Sequence, residues 1–253
     1  MDASTKTKTD ICEQHGVYES IAWLFGSRIM HWSKCPTCSK AIADQEAIEA
    51  EQKDAQERQQ RIESRLNTAG IPLRFRSKDF SSYIADTDGK EKARSVAMEF
   101  AANFDRHYKD GTVVIFSGMP GTGKSHLAIA AAQEIMRSRS ALYTSAIDVV
   151  RMIRDTWRRG AERTESQVLN DLATVDLLIM DEVGVQYGTE AEQVTLFDII
   201  DKRYRDQMPM ILLTNQNKSG MKEFLGDRSF DRLREGGIWV TFDWESQRGR
   251  AAA

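Results

Sequence analysis

A glycine-rich segment in the middle of the chain constrains the fold more than any other feature. Residues 118–125 read Gly-Met-Pro-Gly-Thr-Gly-Lys-Ser, which is the G-x-x-x-x-G-K-S pattern of a phosphate-binding loop. The segment follows the apolar run 113–116 and precedes a helical pattern that opens at His126. The motif needs this order of strand, loop and helix, because the N–H groups at the helix start face the phosphates. The chain is therefore expected to bind a nucleoside triphosphate.

The loop also assigns roles to individual side chains. Lys124 is expected to reach the β- and γ-phosphates, and the Ser125 hydroxyl to ligate Mg²⁺. The other candidate nucleotide-binding residues of the segment are Gly118, Pro120, Gly121, Thr122, Gly123 and His126.

Polar side chains follow two further apolar runs. Asp181 and Glu182 end the run 177–180, and Asn215 ends the run 210–214. Asp181 is expected to hold Mg²⁺, directly or through water, and Glu182 to act as the general base on the attacking water. Asn215 lies at the end of a strand where open α/β sheets bind ligands, so it could position that water and sense the γ-phosphate. A turn-forming role for Asn215 is the alternative.

Apolar runs and helical patterns alternate from about residue 71 onward. The runs lie at 113–116, 141–146, 177–180, 210–214 and 239–242. Helical patterns separate them, near residues 90–108, 126–138, 147–159, 165–173, 190–206 and 220–235. This alternation predicts an α/β fold with a five-stranded parallel sheet covered on both faces.

The three cysteines of the chain all lie in its first forty residues. Cys12-x-x-His15 and Cys35-x-x-Cys38 form two ligand pairs separated by nineteen residues. Such pairs are typical of a closed tetrahedral zinc site, which supplies folding energy to a segment too small to fold through its own core. The sequence therefore predicts structural zinc on Cys12, His15, Cys35 and Cys38, with His31 as the alternative to His15.

Composition and charge argue against other classes of protein. The 253 residues include 35 basic and 38 acidic side chains, so no overall field attracts the chain to nucleic acid. No apolar run approaches the ~18 residues of a membrane helix, and no signal peptide is recognisable. We therefore expect a cytoplasmic protein without membrane contact.

The sequence divides into three parts. Residues 1–39 hold the predicted zinc-binding unit, which is expected to contact a protein partner. Residues 40–70 are rich in helix-forming Ala, Glu, Gln, Lys and Arg and predict a solvated connecting helix, with weak self-association as the alternative. Residues 71–253 hold the nucleotide-binding α/β domain.

Taken together, these motifs resemble the AAA+ ATPases, and in detail the bacterial and phage helicase loaders of the DnaC/DnaI type. The closer resemblance covers about residues 69–250 and rests on the segments 69–83, 170–182, 183–186 and 226–233. It implies that the nucleotide is ATP. The stretch that follows Asn215 is too short for the four-helix lid of a typical AAA+ machine, so the lid is expected to be reduced or absent.

The resemblance implies roles for arginines near the C-terminus. Arg232 matches the arginine that reaches into a neighbouring subunit's ATP site, with Arg228, one helical turn earlier, as the alternative. A guanidinium supplied in trans stabilises charge on the γ-phosphate and makes hydrolysis depend on assembly into a ring or spiral. Arg248 matches the second sensor arginine, which contacts the nucleotide of its own subunit.

One segment is a candidate contact for single-stranded DNA. Residues 151–163 contain five arginines, two acidic residues and Trp157. An aromatic ring flanked by arginines suits sequence-tolerant stacking on bases, although the helical spacing of Trp157 also fits a core position. The resemblance favours DNA, because the loaders carry an aromatic residue here. Their loop after the second acidic motif also contacts DNA, which nominates Tyr187 and Thr189.

The sequence thus predicts an ATP- and Mg²⁺-dependent loader that binds a hexameric DnaB-type replicative helicase and delivers it to single-stranded DNA. Hydrolysis is expected to be slow and to act as a release switch. Two alternatives stay open. One is an IstB-like transposition helper ATPase that assembles on DNA. The other is a nucleotide-gated adaptor that binds ATP but barely hydrolyses it.

Overall fold

The chain folds as an N-terminal unit, residues 1–63, and a C-terminal unit, residues 64–253. The computed structural model describes residues 6–25, 28–184 and 190–247, and of residues 51–52, 54–66 and 190–192 it describes the backbone alone.

The N-terminal unit begins with a three-stranded antiparallel sheet. Strands β1 (Thr7–Cys12), β2 (Gly16–Phe25) and β3 (Arg28–Trp32) pair in the order β1-β2-β3. The long helix α1 (Pro36–Thr68) follows and begins four residues before the predicted connecting helix. Proline at the first helical position is favourable, because its fixed φ suits the helix and its missing N–H would have had no partner.

Alternation along β2 gives this sheet one apolar surface, which we name the outer face. Ser20 and Ala22 are buried, whereas the residues that alternate with them point the other way and are exposed; all of these are apolar except Glu19. Cross-strand pairing continues the pattern onto β1, where Ile11 lies opposite Val17. The exposed fractions on the outer face are 75% for Ile11, 70% for Val17, 44% for Ile21, 55% for Trp23 and 82% for Phe25.

Strands and helices alternate in the C-terminal unit. Its strands are β4 (Val113–Gly118), β5 (Ala141–Ser145), β6 (Leu177–Val183), β7 (Met210–Thr214) and β8 (Gly237–Phe242). Its helices are α2 (Asp88–Ala102), α3 (Phe104–Asp110), α4 (Lys124–Ile135), α5 (Ala146–Thr156), α6 (Glu165–Thr174), α7 (Glu190–Arg205) and α8 (Lys218–Glu235). All five predicted strands are confirmed, and the sheet they form is parallel throughout in the order β5-β6-β7-β4-β8.

Two cores cover the two faces of this sheet. Successive residues of a strand point to opposite sides, so Val114 and Phe116 pack with α2 and α4, whereas Val113 and Ile115 pack with α5 to α8. The apolar runs are continuous because both faces are buried. None of the described residues after β8, 243–247, is helical. Across the described ranges, no helix combines the length and hydropathy needed to cross a membrane.

Candidate nucleotide-binding site

The phosphate-binding loop lies between β4 and α4, as the sequence predicts. Gly123 precedes the helix with a φ of 99°, and a β-carbon on it would lie 2.7 Å from Cε2 of Tyr83. Both the backbone angle and the lack of space therefore favour glycine there. Thr122 is buried, and its hydroxyl donates to the carbonyl of Met119 at 2.8 Å, which closes the loop internally.

The loop forms one wall of a cleft of about 520 Å³. Most of the predicted nucleotide-binding residues meet there. The cleft is lined by Arg74, Phe75, Pro120, Gly121, Gly123, Lys124, Ser125, His126, Tyr143, Asp181, Glu182, Thr214, Asn215 and Gln247.

The Lys124 ammonium is held by oxygen atoms from two strand ends. It donates to the carbonyls of Gly118 at 2.6 Å and Met119 at 2.9 Å, and to Oδ1 of Asn215 at 3.0 Å. Lysine and asparagine come from β4–α4 and the end of β7, so the parallel order of these strands brings them together. A charged donor beside an amide in an open cleft is suited to binding an anion.

Three donors converge on the Asp181 carboxylate. The Ser125 hydroxyl donates to Oδ2 at 2.8 Å, and the Tyr143 hydroxyl donates to the same oxygen at 2.5 Å. The backbone N–H of Glu182 donates to Oδ1 at 2.7 Å. A hydroxyl and a carboxylate side by side are the oxygen ligands that Mg²⁺ prefers, so the residues present fit the expected ion. Tyr143 was not among the predicted site residues, since a tyrosine within a strand carries no special signal.

Glu182 lies on a bulge at the end of β6. Met180 pairs with Leu212 and Val183 with Thr214, so β6 has one residue more than β7 over this stretch. Glu182 is exposed and takes a φ of 59°, a left-handed conformation that is rare outside glycine, asparagine and aspartate. The bulge directs Asp181 into the cleft and leaves Glu182 at its rim.

Hydrogen bonds join the three strand ends that border the cleft. The buried Thr214 hydroxyl donates to the carbonyl of Val183 at 2.6 Å, and the Ser117 hydroxyl donates to the carbonyl of Gln216 at 2.6 Å. The Gln216 amide donates to the carbonyl of Gly184 at 3.0 Å. The strand ends that carry Asp181 and Asn215 are therefore fixed relative to each other.

The segment after β8 lies against the phosphate-binding loop. The Trp244 indole N–H donates to the carbonyl of Thr122 at 2.8 Å, and the backbone N–H of Gln247 donates to the carbonyl of Gly121 at 2.8 Å. The predicted sensor residue Arg248 is the next residue and lies outside the described residues.

His126 lies on the first turn of α4 with one ring nitrogen fixed. Its Nε2 is 2.8 Å from the carbonyl of Asp79, which can only accept, so Nε2 carries the proton. Burial lowers the pKa of His126, and the ring meets Tyr83 edge to face with the centroids 5.3 Å apart. Burial also raises the pKa of Tyr83, so its hydroxyl stays protonated.

The two candidate trans arginines have different surroundings. Arg232 forms an ion pair with Asp201, and its guanidinium lies 5.4 Å from the ring of Phe197 and 5.5 Å from that of Tyr204. It lines a separate cavity near the start of β4, away from the nucleotide cleft of its own chain. Arg228 is exposed.

Trp157 is a surface residue. Its side chain is 63% exposed directly after α5, and its indole N–H donates to Glu165 at 2.8 Å. The α5 residues Val150 and Ile153 are buried instead, so the core position considered for Trp157 is wrong. The predicted DNA contacts Tyr187 and Thr189 lie outside the described residues.

The N-terminal unit brings its four predicted zinc ligands together. The ligand atoms of Cys12, His15, Cys35 and Cys38 all lie within 4.8 Å of one another. Cys12 Sγ is 3.6 Å from both Cys38 Sγ and His15 Nδ1, and Cys38 Sγ is 3.2 Å from His15 Nδ1. Tetrahedral zinc separates such atoms by about 3.6–3.8 Å, so the donor set fits the ion. His31 instead stacks on Trp23, with centroids 4.8 Å apart.

Comparisons with known proteins agree with this architecture. Residues 38–248 match the family of IstB-like ATP binding proteins. The replicative helicase loader DnaC of Escherichia coli K12 is 35% identical over 231 residues, which cover 90% of this chain and 89% of that protein.

Solved structures of the same kind share the fold over about two thirds of the chain. The crystal structure of the DnaC helicase loader matches with a TM-score of 0.62 at 19% identity, covering 67% of this chain and 99% of that chain. The replication initiator DnaA bound to AMPPCP and single-stranded DNA matches with a TM-score of 0.58 at 26% identity, covering 69% of this chain and 51% of that chain. The predicted AAA+ fold is confirmed, and the chain belongs to the IstB-like ATP binding protein family, together with the DnaC helicase loaders.

Proposed function

We propose that this protein loads a hexameric DnaB-type replicative helicase onto single-stranded DNA and that ATP hydrolysis acts as its release switch. One observation carries the proposal: a complete phosphate-binding loop and its acidic partner meet in a chain that aligns with a DnaC loader over 90% of its length.

ATP chemistry at the cleft follows from the side chains that line it. Lys124 would contact the phosphates, and Ser125 and Asp181 would hold Mg²⁺, which would supply positive charge to offset that of the phosphates. Glu182 takes the proton of the attacking water, and Asn215 orients that water. The contact of Lys124 with Asn215 supports this assignment, because it puts the two side chains at one point in the cleft.

Two variants test the catalytic assignment. Lys124→Ala is expected to abolish nucleotide binding, whereas Glu182→Gln keeps binding and lowers the turnover rate by about 10²–10⁴-fold, the usual contribution of a general base. Glu134→Gln is the matched control, because Glu134 lies on α4, is partly exposed and pairs with Arg137 just beyond the end of that helix. Fluorescent-nucleotide binding and steady-state phosphate release with single-stranded DNA measure both effects. An unchanged rate in Glu182→Gln would remove Glu182 from the mechanism. Wild-type protein that binds ATP without hydrolysing it would instead indicate the adaptor.

Hydrolysis depends on assembly through an arginine from a neighbouring subunit. We assign this role to Arg232, whose position away from its own cleft suits action on another subunit's ATP. To reach the neighbouring subunit's ATP, the Arg232 guanidinium has to break its ion pair with Asp201. Arg228 is the alternative and has the more exposed side chain. Arg248 contacts the nucleotide from its own subunit.

Single-stranded DNA contacts the surface around Trp157. The exposed indole offers a stacking face, and it is flanked in the sequence by Arg151, Arg154, Arg158, Arg159 and Arg163. Three of these arginines form ion pairs with Asp148, Asp155 and Asp171, which they would exchange for phosphate groups. Tyr187 and Thr189 are proposed to extend this contact.

The first part of the N-terminal unit, residues 1–39 with structural zinc, is the part that we propose contacts the helicase. Its outer face carries five exposed apolar side chains on adjacent strands, and exposed apolar patches of this kind mark protein contacts. Zinc on three cysteines and His15 has no open position, so it supports the fold and not a reaction. We take residues 40–70 as the connecting helix and 71–253 as the ATPase domain.

The transposition helper ATPases are the second candidate, because the family takes its description from an IstB-like protein. The partner separates the two functions. Mixing the protein with a DnaB-type helicase and ATP is expected to give a larger complex by size-exclusion chromatography with light scattering. Stimulation of strand transfer by a transposase, without helicase binding, would establish the alternative.

A further inference from the structure

Tyr143 contributes a second hydroxyl to the Asp181 carboxylate. Tyr143 lies on β5, which pairs with β6 in a register that sets Ser145 opposite Asp181. Tyr143 comes two residues before Ser145, so its side chain points to the same face of the sheet as that of Asp181. Its hydroxyl donates to Oδ2 at 2.5 Å, the oxygen that also accepts from Ser125 at 2.8 Å. Both donors therefore act on one oxygen of one side chain.

Tyr143 is held in place through both its backbone and its ring. Its backbone N–H donates to the carbonyl of Ala69 at 2.7 Å, and its ring packs against the buried cluster that contains Ala69 and Ile71.

We propose that Tyr143 is a positioning residue that orients Asp181 for Mg²⁺ at the nucleotide site. The inference rests on the proposed function, because it concerns the same cleft. Ser125 is itself a proposed metal ligand, whereas Tyr143 contacts the same Asp181 oxygen without being one. Side chains that hydrogen-bond to metal ligands in this way commonly contribute 10–100-fold to metal affinity or activity, which is about the effect expected here.

Tyr143→Phe tests the hydroxyl alone, because the ring and its packing stay. We expect the Mg²⁺ concentration that half-saturates ATP binding to rise at least about tenfold, while affinity for fluorescent ATP in EDTA stays unchanged. Tyr108→Phe is the matched control, because the half-buried Tyr108 ring lies 4.5 Å below the Arg139 guanidinium, outside the cleft. Thermal unfolding of each variant checks that the fold is intact.

A double-mutant cycle with Asp181→Asn separates positioning from packing. If Tyr143 acts through the carboxylate, Tyr143→Phe is expected to change Mg²⁺ dependence in the wild-type background and not in the Asp181→Asn background. Equal Mg²⁺ dependence of wild type and Tyr143→Phe would overturn the inference, as would equal loss of affinity with and without Mg²⁺. Wild-type protein that shows no Mg²⁺-dependent ATP binding would instead refute the proposed function itself.

Discussion

Arg203 provides a stringent test of how the C-terminal unit is held together. The side chain is fully buried on α7, and burial lowers its pKa to about 9, so it is charged at neutral pH. Its guanidinium donates to five carbonyls, which lie at the end of α6 and in the residues just before β6 and β7. These belong to Leu172 (2.8 Å), Ala173 (3.2 Å), Val175 (2.9 Å), Asp176 (3.4 Å) and Pro209. Arg203 thus satisfies carbonyls that the last turn of a helix leaves without partners.

Arg203→Met keeps most of the apolar stem and removes every one of these donors. Each buried carbonyl that loses its donor costs about 1–3 kcal/mol. Because methionine carries no charge, the variant also avoids the cost of burying the guanidinium, and this gain offsets part of the loss over the five carbonyls. We therefore expect a loss of about 4 kcal/mol in the free energy of unfolding. For a unit of this size that lowers Tm by about 8–16 °C. Arg203→Lys keeps the charge but not the planar fork, so it should recover only part of the loss.

Urea unfolding followed by circular dichroism measures the effect as a shift in midpoint at constant slope. Arg137→Met is the control, because that side chain is 76% exposed and pairs with Glu134 one helical turn away, so about 0.5 kcal/mol or less is expected. If Arg203→Met lowered the free energy of unfolding by less than about 1 kcal/mol, the carbonyl contacts would not be the source of stability. The same would follow if Arg203→Lys had the full stability of the wild type.

Three further outcomes follow. Gly123→Ala should lower Tm more than Gly160→Ala, because both glycines have positive φ but only Gly123 would put a β-carbon against Tyr83; equal losses would show that backbone strain alone decides. Burial lowers the pKa of His126, so the unfolded state binds more protons below about pH 6.5 and stability falls as the pH drops through that range. Comparing Tm at pH 7.5 and 5.5 should therefore show a smaller fall for His126→Gln than for wild type, and equal falls would contradict this. Elemental analysis should find about one zinc per chain and none in Cys35→Ser, and a metal-free wild type would exclude the zinc site.

The architecture of the C-terminal unit could be predicted because its signals are local. Parallel strands buried on both faces read as continuous apolar runs, and the glycine-rich loop marks the junction of β4 and α4. Lys124, Asp181 and Asn215 could be expected to meet because each ends or follows a strand, and parallel strands end at the same edge.

The features that the sequence did not reveal depend on distant pairing. The contact between Tyr143 and Asp181 follows from the register of β5 against β6, which no local pattern encodes. Arg203 reads as an ordinary helix residue, and only the packing of α7 over the end of α6 buries it. The bulge at Glu182 appears only when β6 is aligned with β7.

At Glu182, the left-handed backbone conformation lowers the stability of the fold, whereas the side chain is needed for the proposed activity. A non-glycine residue with a φ of 59° stores strain of about 1 kcal/mol or more, which glycine would relieve. Glu182→Gly would therefore make the folded chain more stable while removing the proposed base. Selection of random variants for thermal resistance alone should enrich such inactive proteins. Under selection for function, the fraction of variants that keep glutamate at position 182 would then show how much activity depends on that side chain.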